Sequence, residues 1–173
     1  MAIYYPPAFI NAYLADKINA VFGGDFTVPF FPTAPTDIDT LTETFPNGMG
    51  AVYDRMLKMR RNPFPHIKNE QLLYYFYGVG ENAIVNMIEV TQTVQDLMDR
   101  EDESAQELNA WAESKQASGT PLTNDAGDPL PLPFFHKIRL YQLEETRDIV
   151  DFGTARTYAG NKMIIDYEWH KSE

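Results

Sequence analysis

The sequence predicts an α+β fold: an antiparallel sheet of about four strands with helices packed on one face, plus long loops. Three observations predict it. Residues 72–77, Leu-Leu-Tyr-Tyr-Phe-Tyr, are aromatic-rich and free of breakers, which suits a packed strand. From Glu81 onward, Ile84, Met87, Ile88, Thr91, Val94 and Met98 recur at three- and four-residue steps, tracing one helix face that needs a surface to lie on. Residues 134–143 and 162–169 alternate with a period of two, the mark of strands.

Taken in order, the chain reads as a single domain, 1–173. Pro6 and Pro7 open a helical pattern over 8–22 through Phe9, Ile10, Tyr13, Leu14, Ile18, Val21 and Phe22. Proline is harmless in a first turn, where its missing N–H has no partner to lose. Gly23-Gly24 ends that helix. Residues 26–31 suit a short strand, which Pro29 confines to an edge. Residues 32–46 carry Pro32, Pro35, Thr36, Asp37, Asp39, Thr40 and Pro46, and read as an extended loop. The core region is expected at 50–114. In 51–61, Val52, Met56 and Met59 fit a helix, whereas Tyr53, Arg55, Leu57 and Met59 fit one face of a strand. The Asn62-Pro63-Phe64-Pro65 that follows forces extended backbone, and the strand is favoured.

Gly78 and Gly80 permit a reversal between the aromatic strand and its helix. Glu101-Asp102-Glu103 reads as a second helix N-terminus, where carboxylates complement the macrodipole. Leu108 and Trp111 mark that helix, which is expected to stop before Lys115. Residues 115–133 hold Pro121, Pro129, Pro131, Pro133, Gly119 and Gly127, and predict a protruding loop that adds little to the core. C-terminal strands are expected within 134–170. In the first, Phe135, Lys137, Arg139 and Tyr141 share one side, opposite His136, Ile138, Leu140 and Gln142. Residues 144–158 read as a polar connection. In the last strand Met163, Ile165, Tyr167 and Trp169 share one face. Leu72, Tyr74, Ile84, Ile88 and Ile165 are the expected core.

Composition excludes several classes. No apolar run reaches the length of a membrane span, and no basic region precedes an apolar stretch at the N-terminus, so neither a membrane segment nor a secretory signal is expected. There are no cysteines, hence no disulfides or thiolate metal sites. The net charge of -11 argues against a general nucleic-acid binder. That charge is unevenly placed. Residues 81–114 hold nine acids against Arg100 alone, a net of -8; residues 49–68 hold Arg55, Lys58, Arg60, Arg61 and Lys68 against Asp54, a net of +4. Two solvated faces would explain this, and so would unlike surfaces that meet between neighbouring copies.

Catalytic chemistry is not legible. His66, His136 and His170 lie far apart in sequence without ligand-like spacing, and read as structural or surface residues. Asp37 and Asp39 form a D-x-D that nothing completes into a metal site. Glu144, Glu145, Asp148 and Asp151 beside Arg147 read as a surface charge cluster. No phosphate-binding glycine loop or nucleophile elbow occurs. The aromatic run lacks the basic Gly-aromatic setting of RNA-binding sheets. No catalytic residue, cofactor or metal is therefore expected.

Two stretches carry a likeness. One runs from Tyr53-Asp54-Arg55-Met56 through Pro63-Phe64-Pro65-His66-Ile67-Lys68 to Glu70-Gln71-Leu72-Leu73-Tyr74-Tyr75-Phe76-Tyr77. The other is 143–162, from Leu143-Glu144-Glu145-Thr146-Arg147-Asp148 through Phe152-Gly153-Thr154-Ala155-Arg156 to Asn161-Lys162; residues 96–105 add to it. From about residue 50 onward the chain resembles tail terminator or neck proteins of tailed bacteriophages, and is similar to the sheath-stabilising proteins at the same place in contractile tails. The resemblance implies a sheet flanked by helices and a homo-oligomeric, hexameric ring. Such a ring caps the tail tube and joins the tail to the head-side connector. It meets tail tube and sheath proteins, and DNA passes its lumen without specific binding. Such a protein belongs to the virion and is assembled in the host cytoplasm. A cyclic ring uses heterologous contacts, so one edge must complement the other. Arg55, Lys58, Arg60 and Arg61 are the candidate basic edge; Asp99, Glu101, Asp102 and Glu103 are the candidate acidic one. The alternatives are another head–tail joining protein and, from a different class, a small metal-dependent enzyme acting on nucleic acid through Asp37, Asp39 and the later acids.

Overall fold

In the computed structural model of the chain, residues 6–22, 49–57, 66–79, 83–124, 126–151 and 156–171 are described. Their order is α1 (Pro6–Phe22), β1 (Met49–Leu57), β2 (Lys68–Val79), α2 (Ala83–Met98), α3 (Asp102–Ala117), β3 (Pro133–Asp151) and β4 (Arg156–Lys171). The four strands form one sheet in the order β1-β2-β4-β3, with every neighbouring pair antiparallel. The α+β class and the strand count agree with expectation, and 49–57 is a strand rather than a helix. The expected strand at 26–31 and loop at 32–46 lie outside the described residues.

The sheet turns one face toward the helices. Leu72, Tyr74 and Phe76 of β2 and Met163, Ile165, Tyr167 and Trp169 of β4 are all buried there, as the period of two requires. Phe9, Ile10, Tyr13, Leu14 and Ile18 of α1, Val90, Val94 and Met98 of α2, and Ala105, Leu108 and Ala112 of α3 complete the same cluster. Two side-chain hydrogen bonds fix α1: the Tyr74 hydroxyl donates to Asn11 Oδ1, and Trp111 Nε1 donates to Asp16 Oδ2 at 2.9 Å. Tyr13 meets the Trp111 ring edge-on at 5.4 Å. Val21, on the expected apolar stripe, lies in the last turn of α1 and is exposed.

The α2 helix is right in place and wrong in rotation. Its buried face is Val90, Thr91, Val94 and Met98, whereas Ile88 is 64% exposed. At ~100° per residue, Ile88 falls ~120° from Val94, outside any stripe centred there. The side chain of Ile84 is not among those described. The α3 helix also runs past its expected end, through Lys115 to Ala117, where Gly119 takes φ 79° and stops it.

Beyond Gly119 the expected loop exists but does not stand clear of the core. Asn124 Oδ1 accepts from the backbone N–H groups of Ala126 and Asp128, folding a turn around Gly127 at φ 86°. That turn returns Leu130 to Leu122, whose backbones bond at 2.8 Å, and Leu122, Leu130 and Leu132 pack half-buried against the core.

Of the expected polar connection 144–158, residues 144–151 and 156–158 are strand, and 152–155 lie outside the described residues. The strand residues extend β3 and β4 into a long hairpin paired as far as Asp151↔Arg156. The alternation expected in 134–143 is also broken, because register shifts fall between Phe135 and Lys137 and between Leu140 and Gln142. Each bulge adds a residue and flips the side-chain parity. The core-facing positions are therefore Phe135, Ile138, Leu140 and Leu143, spaced by three, two and three.

Candidate assembly interface

The acidic candidates sit where α2 gives way to α3. Asp99 and Arg100 form the bend, and Glu101 takes φ 42° and ψ -96°, a conformation that a side-chain-bearing residue adopts only under strain. Backbone bonds hold it: the Glu101 carbonyl accepts from Ala105 N at 3.1 Å and from Ile138 N at 3.3 Å, tying the bend to the outer edge of β3. Ser104 is fully buried, and its hydroxyl oxygen accepts the Arg100 N–H at 3.1 Å. Asp102 and Glu103 occupy the first turn of α3, where they complement the helix dipole as expected.

This bend fixes the state of each acid. Arg100 bonds Glu103 at 3.1 Å and Glu107 at 2.6 Å, and its Nε donates to the Asp96 carbonyl at 2.9 Å. The Glu107 hydrogen bond, more than any other cause, raises the Arg100 pKa above the ordinary arginine value. Glu103 is thus already neutralised within its own chain. Asp99, Glu101 and Asp102 are exposed, and no side-chain partner for them stands among the described residues. Beside them a shallow groove is lined by Gln92, Gln95, Asp96, Asp99 and Arg100.

Of the basic candidates, Arg55 lies in β1 opposite Leu73 of β2, just past a bulge that follows Tyr53. Its side chain is not among those described, and Lys58, Arg60 and Arg61 lie outside the described residues. The four acids are thus brought together, and their meeting with the bases stands as an expectation.

On the sheet face away from the helices, Arg139 pairs with the buried Asp166 at 3.4 Å, and Asn69 Nδ2 donates to Glu168 at 3.2 Å. On the core face, the buried Glu70 accepts from Tyr167 Oη and Trp169 Nε1, both at 2.7 Å on one oxygen. Each acid has its counter-group. Asp37 and Asp39 lie outside the described residues, and among those described no group of three or more His, Asp or Glu side chains is arranged to hold a metal ion.

The histidines, read from the sequence as structural or surface residues, come together in the fold. Far apart in sequence, all three gather at the end of the sheet where β2 starts and β4 finishes. His136 Nε2 and His170 Nδ1 share a hydrogen bond at 2.5 Å, with ring centroids 4.6 Å apart. His66 meets His170 edge-on at 6.4 Å, and Phe134 lies 5.1 Å from both His136 and His170. His136 is held below the ordinary imidazole pKa, first by burial, then by His170, with His66 adding and Glu168 opposing. The sequence did hold a signal. Pairing the two C-terminal strands as a hairpin puts 134–136 beside 169–170, but only with the bulge at His136 placed.

No family model matches the chain, and no similar sequence was found among characterised proteins.

Proposed function

We propose that this chain is a structural, non-enzymatic subunit of a tailed-phage neck. It works as a tail terminator ring, hexameric as the resemblance implies, that caps the tail tube and joins it to the head-side connector. The observation that carries this reading is the exposed acid group at the α2–α3 bend, with Asp99, Glu101 and Asp102 uncompensated among the described residues, in a chain whose 49–68 segment is basic. The expected fold, a sheet flanked by helices, agrees with the architecture described. Ile88, Phe134 and Tyr141 add exposed apolar surface suited to burial between copies. Among the described residues no helix is long and apolar enough to cross a membrane.

The test is the mass of the purified chain in solution together with negative-stain images. Closed rings with a central hole, and their addition to the ends of isolated tail tubes, are the expected results. A chain that stays monomeric and binds neither tubes nor connectors removes the proposal.

A further inference from the structure

The histidine end of the sheet gathers lysine and histidine side chains in an acidic chain. A cleft of about 280 Å³ there is lined, among the described residues, by His66, Lys68, Trp169, His170 and Lys171, in a chain of net charge -11. One wall is fixed. Trp169 is buried, and its indole N–H is committed to Glu70, so the ring cannot turn away; the Lys68 ammonium sits 5.5 Å from its centroid. The other wall is His170, held from behind by the His136 hydrogen bond and by Phe134.

We propose that this cleft binds a tetrahedral oxyanion of the sulfate or phosphate type, and that binding draws protons onto the histidines. Both parts follow from the geometry. Two imidazoles joined by one N–H···N bond hold three protons at most, because one bridging nitrogen must accept. A fourth proton breaks that bond and leaves two cations face to face. The surrounding charges set the cost of each protonation. His66 and Lys68 stand at the start of β2, Lys137 on β3, and Glu168 and Lys171 on β4, with Glu70 buried beneath Trp169. At His136, Glu168 favours protonation, whereas burial, His170 and His66 oppose it. An anion in the cleft offsets that repulsion. By linkage, an anion that prefers the protonated site must raise the proton affinity of the site by the same factor.

Sulfate is the probe, since it stays a dianion throughout the histidine range and any pH dependence then belongs to the protein. The imidazole nitrogen resonances of the full-length chain are followed by NMR during sulfate titration, with chloride at matched ionic strength as the reference. Saturable shifts at His66 and His170 are expected, with sulfate held about fivefold more tightly near pH ~5.5 than near pH ~7.5. His170→Gln should weaken binding about tenfold, and Lys68→Gln, at an exposed position that does not test folding, should also weaken it. Shifts that never saturate, or that chloride reproduces, overturn the site. Equal affinity at the two pH values overturns the proton linkage.

Discussion

Met98 and Ile88 lie on the same helix, ten residues apart, and only one of them holds the fold together. Met98 is fully buried among the sheet and helix side chains, whereas Ile88 faces outward. Met98→Ala should cost about 2–5 kcal/mol, the transfer of the lost side chain plus the cavity left behind. Ile88→Ala should change stability by no more than about 0.5 kcal/mol. Urea unfolding of the monomeric chain reads both; a large loss at Ile88 would mean that its exposure is wrong. Tyr13 offers a pH test at the same scale. Its hydroxyl is pushed up to about 12, first by burial, then by Glu107, with Arg100 pulling the other way. A folded-state pKa raised above the unfolded value near ~10 means that the fold prefers the neutral phenol. Its contribution is complete below about pH 10 and is lost as pH climbs toward 12. Tyr13→Phe should therefore flatten the alkaline fall in stability between those values, as measured by urea midpoints. If the mutant and parent curves stay parallel, Tyr13 ionises freely.

At the scale of elements, the exposed edge of β3 is held by one side chain from α3. Asn109 Nδ2 donates to the Phe135 carbonyl at 2.9 Å, and Asn109 Oδ1 accepts the Phe135 N–H at 3.0 Å. An amide side chain thus imitates a neighbouring strand at the bulge, blunting an edge that otherwise invites pairing. Asn109→Ala removes both bonds and should cost about 1–3 kcal/mol, with faster amide exchange at Phe135 as the local sign. Unchanged exchange there would show that α3 does not guard the edge. None of this pairing was legible in the sequence, because an Asn on a helix face carries no mark of its partner. What was legible depended on regular periods. Residues 163, 165, 167 and 169 alternate without interruption, and all four are buried as expected. Residues 134–143 alternate too, but two bulges shift the parity, and a bulge leaves no trace in a count of apolar positions. The helical stripe of α2 is visible in the sequence, yet its three- and four-residue steps spread over more of the helix than the sheet covers, and Ile88 falls outside the buried part. Residues 144–158 looked like a connection because they are polar. Strand pairing across a hairpin needs only backbone groups.

At the scale of the whole molecule the question is what the charge asymmetry does. The acids at the α2–α3 bend do not all stay available, since Arg100 engages Glu103 and Glu107 within the chain. That narrows the acidic side of any contact to Asp99, Glu101 and Asp102. The basic side remains Arg55, Lys58, Arg60 and Arg61, as the sequence alone suggests. Exposed pairs are worth only about 0–1 kcal/mol each, so one pair cannot hold two copies together. A closed ring repeats the contact at every interface, and several pairs per contact make assembly sensitive to salt. Arg60→Glu with Arg61→Glu should therefore weaken assembly of the proposed ring while leaving the far-ultraviolet circular dichroism unchanged. Adding Asp99→Lys and Asp102→Lys should partly restore it. Asp102 also complements the α3 dipole, so its reversal alone costs about 0.3–1 kcal/mol, and Asp102→Asn is the control for that term. Sedimentation at low and high salt reads the outcome. Rescue by the second pair of reversals ties the two segments across the contact, because neither change alone can produce it. Rings that form equally well from the singly reversed protein at every salt concentration would leave the asymmetry as two solvated faces of one subunit.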